Sequence, residues 1–214
     1  MHSDGTRWTF TRRFAAKQGQ SRFLGRLNEA RNFFPELEEE TIKVGITVNV
    51  PGKADPKNKG VYFRSRNVSY YVMGHELTHL LQGMGRVPSG ERSCDLYTLA
   101  REVEFCDESP NYIKVPKRLL DGDGFIRREF RGMVHETAKT AINLKAQGKR
   151  RYIAWFEKTL EDICMVEEMT IDEPTQTRKD GPDSSSQAKL EDYFGVTFAG
   201  MNNAALKSKG RRGT

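Results

Sequence analysis

The sequence predicts an α+β domain, a short β-sheet with packed helices, followed by a helical hairpin and an unstructured tail. Three observations predict it. Ile42, Val44, Ile46, Val48 and Val50 alternate with Lys43, Gly45, Thr47 and Asn49, the period of a half-buried strand. Several later stretches place apolar residues three and four apart, the period of an amphipathic helix. From about Met169 the composition turns polar, with Pro, Ser and Asp and no core-forming pattern.

The elements follow in order. Residues 1–20 are polar and basic without a clear period and read as an arm. A core of residues 21–128 opens with a helix over 21–34, where Phe23, Leu24, Leu27, Ala30 and Phe34 share a face and Pro35 stops it. The alternating run from Ile42 to Val50 is the first strand. PGKADPKNKG reads as a turn-rich loop and GVYFRSR as a second strand of the same small sheet. Asn67 or Ser69 can cap a helix that runs to about Gln82, with Met73, Leu77, Leu80 and Leu81 as its core stripe and Gly83 and Gly85 at its end. A further helix is expected from Glu91 to about Phe105. A hairpin over 129–168 pairs helices 129–146 and 150–165, with Val134, Ala138, Phe156 and Leu160 among the buried positions. Residues 169–214 form the tail.

Composition bounds the function. Hydrophobic residues are 36% of the 214, below the usual globular share, so part of the length is not expected to pack. The net charge of +6 is unevenly placed. Residues 114–151 carry eleven basic side chains against four acidic ones, and residues 1–26 carry six against Asp4 alone. Such asymmetry predicts a polyanionic partner, with DNA bound without sequence preference. Three cysteines (Cys94, Cys106, Cys164) fit neither a disulfide framework nor a zinc ribbon, which points to a reducing compartment. The first ten residues lack an apolar signal core, and no run approaches the roughly 20 apolar residues of a membrane helix. An intracellular protein is expected, in cytoplasm or nucleoid, or in the nucleus of a eukaryote, with no membrane partner.

The chemistry is concentrated in Gly74-His75-Glu76-Leu77-Thr78-His79. On a helix, His75 and His79 project from one face one turn apart and can hold a single Zn²⁺. Glu76 lies beside them and can take a proton from a water that zinc acidifies. The plain alternative is a helix with two histidines satisfied by their surroundings. Two of only four histidines fall in this motif, and carboxylates follow on the next helix. Glu91 and Asp95, four apart, share a face: one can bind zinc while the other accepts the free N–H of a ligand imidazole. Two histidines and one carboxylate leave a fourth position open, as catalysis needs. For oxyanion stabilisation, Tyr97, His135, Tyr112 and Arg92 are candidates.

H-E-x-x-H followed on a later helix by E-x-x-x-D resembles the gluzincin group of zinc metallopeptidases, nearest to compact members with a short loop between the two helices. The resemblance covers about residues 40–105. It implies a zincin-like domain with an active-site helix and a glutamate-ligand helix, Glu91 as third ligand, Asp95 as partner to a ligand histidine, and Glu76 as general base. It also implies an edge strand along the substrate cleft, within 60–66. Only eleven residues separate His79 from Glu91, and Asp95 as the ligand remains the alternative, as in the aspartate-ligand zincins. Glu102 lies about 16 Å from Glu91 along a continuous helix, too far to share its metal. The three-histidine arrangement is absent.

In the tail, Gln187, Leu190, Tyr193 and Phe194 occupy the four key positions of a Q-x-x-L-x-x-aromatic-aromatic segment. This resembles the PIP box, which docks on PCNA-type sliding clamps. One helical turn gathers Leu190, Tyr193 and Phe194 into an apolar plug, with Gln187 hydrogen-bonding beside it. Together the motifs predict a zinc peptidase brought to DNA by a clamp, with proteins bound or crosslinked to DNA as substrates. The alternatives are a clamp- or DNA-binding adaptor with a structural zinc site, and a regulatory peptidase of transcription factors.

Overall fold

The computed structural model describes residues 7–16, 20–64 and 68–171, with the side chains of Gln20 and 166–171 left aside. The chain divides into Met1–Asp172 and Glu173–Thr214. The second part, and with it the clamp motif of Gln187, Leu190, Tyr193 and Phe194, lies outside the described residues.

The domain is α+β. Its sheet has four strands, β1 (Arg7–Phe10), β2 (Thr41–Ile46), β3 (Gly52–Asp55) and β4 (Gly60–Phe63), in the order β1-β2-β4-β3. β1 and β4 flank β2 in parallel, and β3 closes one edge antiparallel to β4. The alternation in β2 does what the sequence leads one to expect: Ile42 and Val44 are wholly buried, while Thr41 and Lys43 face solvent. It ends earlier than expected. Phe63 is the last residue of β4, so beyond Ile46 the chain has no strand to pair with, and Val48 and Val50 are exposed.

Two further expectations change. Residues 7–16 of the expected arm belong to the fold: β1 pairs with β2, and a short helix α1 (Arg12–Ala15), capped by Thr11, buries Phe14. Four residues with one partner take their extended shape from pairing, which no local period records. The turn-rich loop also contains a strand, β3, between Pro51 and Pro56. Proline is tolerated there because an edge strand pairs on one side only. β4 is therefore internal, and the edge strand expected within 60–66 is instead Gly52–Asp55.

Helix α2 (Gln20–Asn32) supplies Phe23, Leu27 and Ala30 to the core. An aromatic chain runs from Phe14 through Phe23 to Phe63, with ring centroids 5.7 and 5.4 Å apart. Helix α3 (Tyr70–Gly83) buries Met73, Leu77 and Leu81. A Cβ at Gly74 would stand 2.7 Å from the Phe105 ring, so glycine here lets the turn Val103–Cys106 close on α3 just before His75. Helix α4 (Glu91–Leu99) is shorter than expected. Glu102 starts the Val103–Cys106 turn and accepts the Val103 N–H at 2.9 Å, a local cap that ends any continuation of α4. Helices α5 (Arg131–Ala146) and α6 (Tyr152–Ile171) form the expected hairpin, joined through Gly148 at φ +94°. No helix among the described residues is long and apolar enough to cross a membrane.

Candidate metal centre and cleft

Helix α3 is fixed at its start from two directions. Ser69 Oγ accepts the Val72 N–H at 3.1 Å, and the Asp107 carboxylate accepts the Tyr70 and Tyr71 N–H groups at 2.8 Å each. These satisfy donors that a helix N-terminus leaves open. One turn further on, His75 and His79 stand with ring centroids 4.7 Å apart. The chain then turns at Gly85 (φ +72°) and Gly90 (φ +100°) and returns as α4. Thr98 Oγ1 donates to Thr78 Oγ1 at 3.0 Å and holds the two helices side by side.

This packing brings the expected ligands together. Glu91 Oε2 lies 3.3 Å from His75 Nε2 and 3.2 Å from His79 Nε2, and the two Nε2 atoms are 3.1 Å apart. Asp95 stands back from that triangle. Its Oδ1 is 3.0 Å from His75 Nδ1 and accepts the Tyr71 hydroxyl at 2.5 Å, while Oδ2 accepts the Tyr112 N–H at 2.7 Å. The Tyr71 hydroxyl and the Tyr112 N–H both donate to this wholly buried side chain, and with His75 Nδ1 as the donor of its third contact His75 carries its proton there. On His79, Gln82 plays the matching part. Gln82 Nε2 donates to the Pro88 and Gly90 carbonyls at 2.6 and 3.0 Å, which turns its Oε1 to His79 Nδ1 at 2.7 Å. Both Nε2 atoms thus present lone pairs toward each other and toward a carboxylate oxygen. With the proton of each neutral ring on Nδ1, these are three acceptors at hydrogen-bond distance, an arrangement that a cation, whether a metal ion or a shared proton, would hold together.

Cys94 is a further donor in the same place. His75, His79 and Cys94 offer ligand atoms all within 4.8 Å of one another, a group able to hold a metal ion. The Cys94 Sγ is wholly buried and donates to the His75 carbonyl at 3.2 Å. Burial, and then the charges of Asp95, Glu76 and Glu91, push its thiol far above the ordinary value.

Glu76 is buried beside the histidines, under the edge strand. A Cβ at Gly52 would lie 2.4 Å from Glu76 Oε1, so only glycine lets β3 cross this carboxylate so closely. Burial lifts the Glu76 pKa to about 7, opposed by the charge of His75 and by the Ala54 N–H that it accepts. For His75, burial lowers the pKa, but the hydrogen bond to Asp95 and the nearby carboxylates more than reverse this, leaving it raised. For Tyr71, burial and then Asp95 raise the pKa well above the ordinary value.

These groups open into a groove of about 370 Å³. One wall is Val50–Ala54 and the other is Glu108, Asn111 and Tyr112. Of the four candidates for oxyanion stabilisation, only Tyr112 lines it. Tyr97 is bonded to Lys145 at 3.1 Å, Arg92 pairs with Glu157 at 2.7 Å, and buried His135 contacts the Leu99 carbonyl at 2.8 Å. Sequence reasoning missed Gln82, Tyr71 and Gly52. The first two were reachable, because Tyr71, His75, His79 and Gln82 fall four, four and three apart on one helix face.

No family model matches this chain, and none of the curated proteins or solved structures matches it.

Proposed function

We propose that this chain is a zinc-dependent endopeptidase, with one Zn²⁺ held by His75, His79 and Glu91, oriented through Asp95, and with Glu76 as general base. The observation that carries the reading is the ligand triangle. Tetrahedral zinc with bonds of about 2.0–2.1 Å separates its ligand atoms by about 3.3 Å. The three separations here are 3.1, 3.2 and 3.3 Å. Zinc so bound supplies Lewis acidity, which lowers the pKa of a water and polarises a peptide carbonyl.

The chain's own groups supply the rest. Glu76, buried beside the ligands and under the edge strand, can accept a proton and pass it to a leaving amine. β3 is an edge strand, and its outward groups other than the Ala54 N–H that Glu76 takes could pair with an extended peptide beside Glu76. Asp95 holds His75 in one tautomer and ties the Tyr112 wall to the same carboxylate. Glu76→Gln removes the base while leaving the ligands: zinc content should stay at one per chain while peptide cleavage falls to background. Retained cleavage would contradict the assignment.

The address rests on the sequence. Gln187, Leu190, Tyr193 and Phe194 would dock on a PCNA-type clamp, and the basic segments would add phosphate contacts that do not read sequence. Proteins blocking or crosslinked to DNA are then the natural substrates, and the cell interior is the expected place.

A second reading is favoured by Cys94. With His75 and His79 it could close a structural site in a non-catalytic adaptor. The three carboxylates around its thiol oppose the thiolate such a site needs. Cys94→Ser should leave zinc binding intact, whereas its loss would favour the adaptor.

A further inference from the structure

We infer that Gln82 is a positioning residue that couples the second ligand to the third, setting His79 and Glu91 with one side-chain amide. The inference rests on the zinc reading above. Gln82 lies three residues after His79 on the same face of α3, and each end of its amide has a different task. Oε1 faces His79 Nδ1 at 2.7 Å, which keeps the proton there and leaves the Nε2 lone pair toward Glu91. Nε2 donates in the other direction, to the carbonyls of Pro88 and Gly90.

Those two carbonyls belong to the connection that delivers Glu91. Gly90 is the residue before it, held at φ +100°, and its carbonyl also accepts the first helical hydrogen bond of α4, from Cys94 N at 3.0 Å. Glu91 itself is the least restrained of the three ligands, with 45% of its side chain exposed on a first helical turn. Gly90 also lacks a side-chain cap hydrogen bond of its own. Gln82 therefore fixes where α4 begins, and with it how far Glu91 Oε2 stands from His79 Nε2, here 3.2 Å. His75 has an anionic partner in Asp95. For His79 the partner is neutral but two-sided, able to do what a carboxylate cannot, because a carboxylate has no donors for the loop.

The test uses the full chain and zinc affinity measured by competition with a chelator. Gln82→Leu keeps the bulk and loses both contacts; affinity should fall about 10- to 100-fold. In a Glu91→Ala background the same change should cost clearly less, because the loop no longer carries a ligand. Gln82→Glu separates the two ends: it keeps an acceptor for His79 but sets a carboxylate against two carbonyls. Its affinity loss should appear with Glu91 present and vanish in Glu91→Ala. Thermal unfolding of the zinc-free proteins checks the fold. The inference is overturned if Gln82→Leu binds zinc as tightly as wild type, if its loss is equal with and without Glu91, or if its loss only tracks a fall in zinc-free melting temperature. A wild-type chain that takes up no zinc overturns the endopeptidase reading as well, so the two failures are distinguishable.

Discussion

At the scale of single residues, the site works through acceptors and donors that are almost fully matched. Asp95 collects an imidazole N–H, a hydroxyl and a backbone N–H. Removing it would leave the buried Tyr71 hydroxyl without this acceptor, at about 1–3 kcal/mol, and would release the more accessible His75 and Tyr112 N–H groups. Gly52 is the residue where space matters more than hydrogen bonding. Gly52→Ala would drive a methyl group to 2.4 Å from Glu76 Oε1, and the carboxylate must move, since the strand is held by β4. A misplacement of about 1 Å in a reacting group can cost on the order of 100-fold in rate. The expected outcome is a kcat about 100-fold lower with zinc content unchanged, measured by steady-state cleavage and metal analysis. Loss of zinc instead would mean that the clash is relieved through the histidines.

At the scale of elements, what was legible in the sequence follows from which parts carry their own period. His75, Glu76, His79, Glu91 and Asp95 all lie on helices, so their spacing fixed their relative directions, and α4 needed only to pack on α3 to bring them together. β1 and β3 were not legible. Each has four residues and one partner; β1 owes its shape to a strand distant in sequence, while β3 lies between Pro51 and Pro56 and pairs across a short connection with the strand that follows it. Val48 and Val50 misled for the complementary reason: their alternation continues after the pairing partner has ended. The Tyr112 wall is placed by its N–H to Asp95, a contact between segments that no local pattern records.

Asp107 gives the element scale its own prediction. It caps α3 from across the fold, and Asp107→Ala should lower unfolding stability by about 1 kcal/mol, read from denaturant midpoints. Burial lifts its carboxyl above the ordinary 3.8, against the Tyr71 and Tyr70 N–H groups that lower it. The folded state therefore binds this proton more tightly than the unfolded state. Its contribution to stability is greatest below 3.8 and declines as pH rises through the raised value. Asp107→Asn cannot ionise, so the difference between the midpoints of the zinc-free variant and wild type should shift in the variant's favour as pH rises above 3.8. Parallel curves would contradict the raised value.

At the scale of the whole molecule, the cleft and the proposed address lie in different parts of the chain. The proposed ligands come from α3 and α4 and the cleft rim from β3, while the clamp-like segment 187–194 lies beyond Asp172 in the sequence. Changing Leu190, Tyr193 and Phe194 to Ala should abolish clamp binding in a pull-down or calorimetric titration while cleavage of a free peptide persists. Unchanged clamp affinity would remove the recruitment step and leave the peptidase standing. The proposed catalysis depends on whether three lone pairs on two helices meet at a zinc ion. Metal analysis of the purified chain beside Glu91→Ala tests this most directly. The account predicts one zinc per wild-type chain and a substoichiometric amount in the variant; a zinc-free wild type, or a variant that retains a full complement, would contradict it.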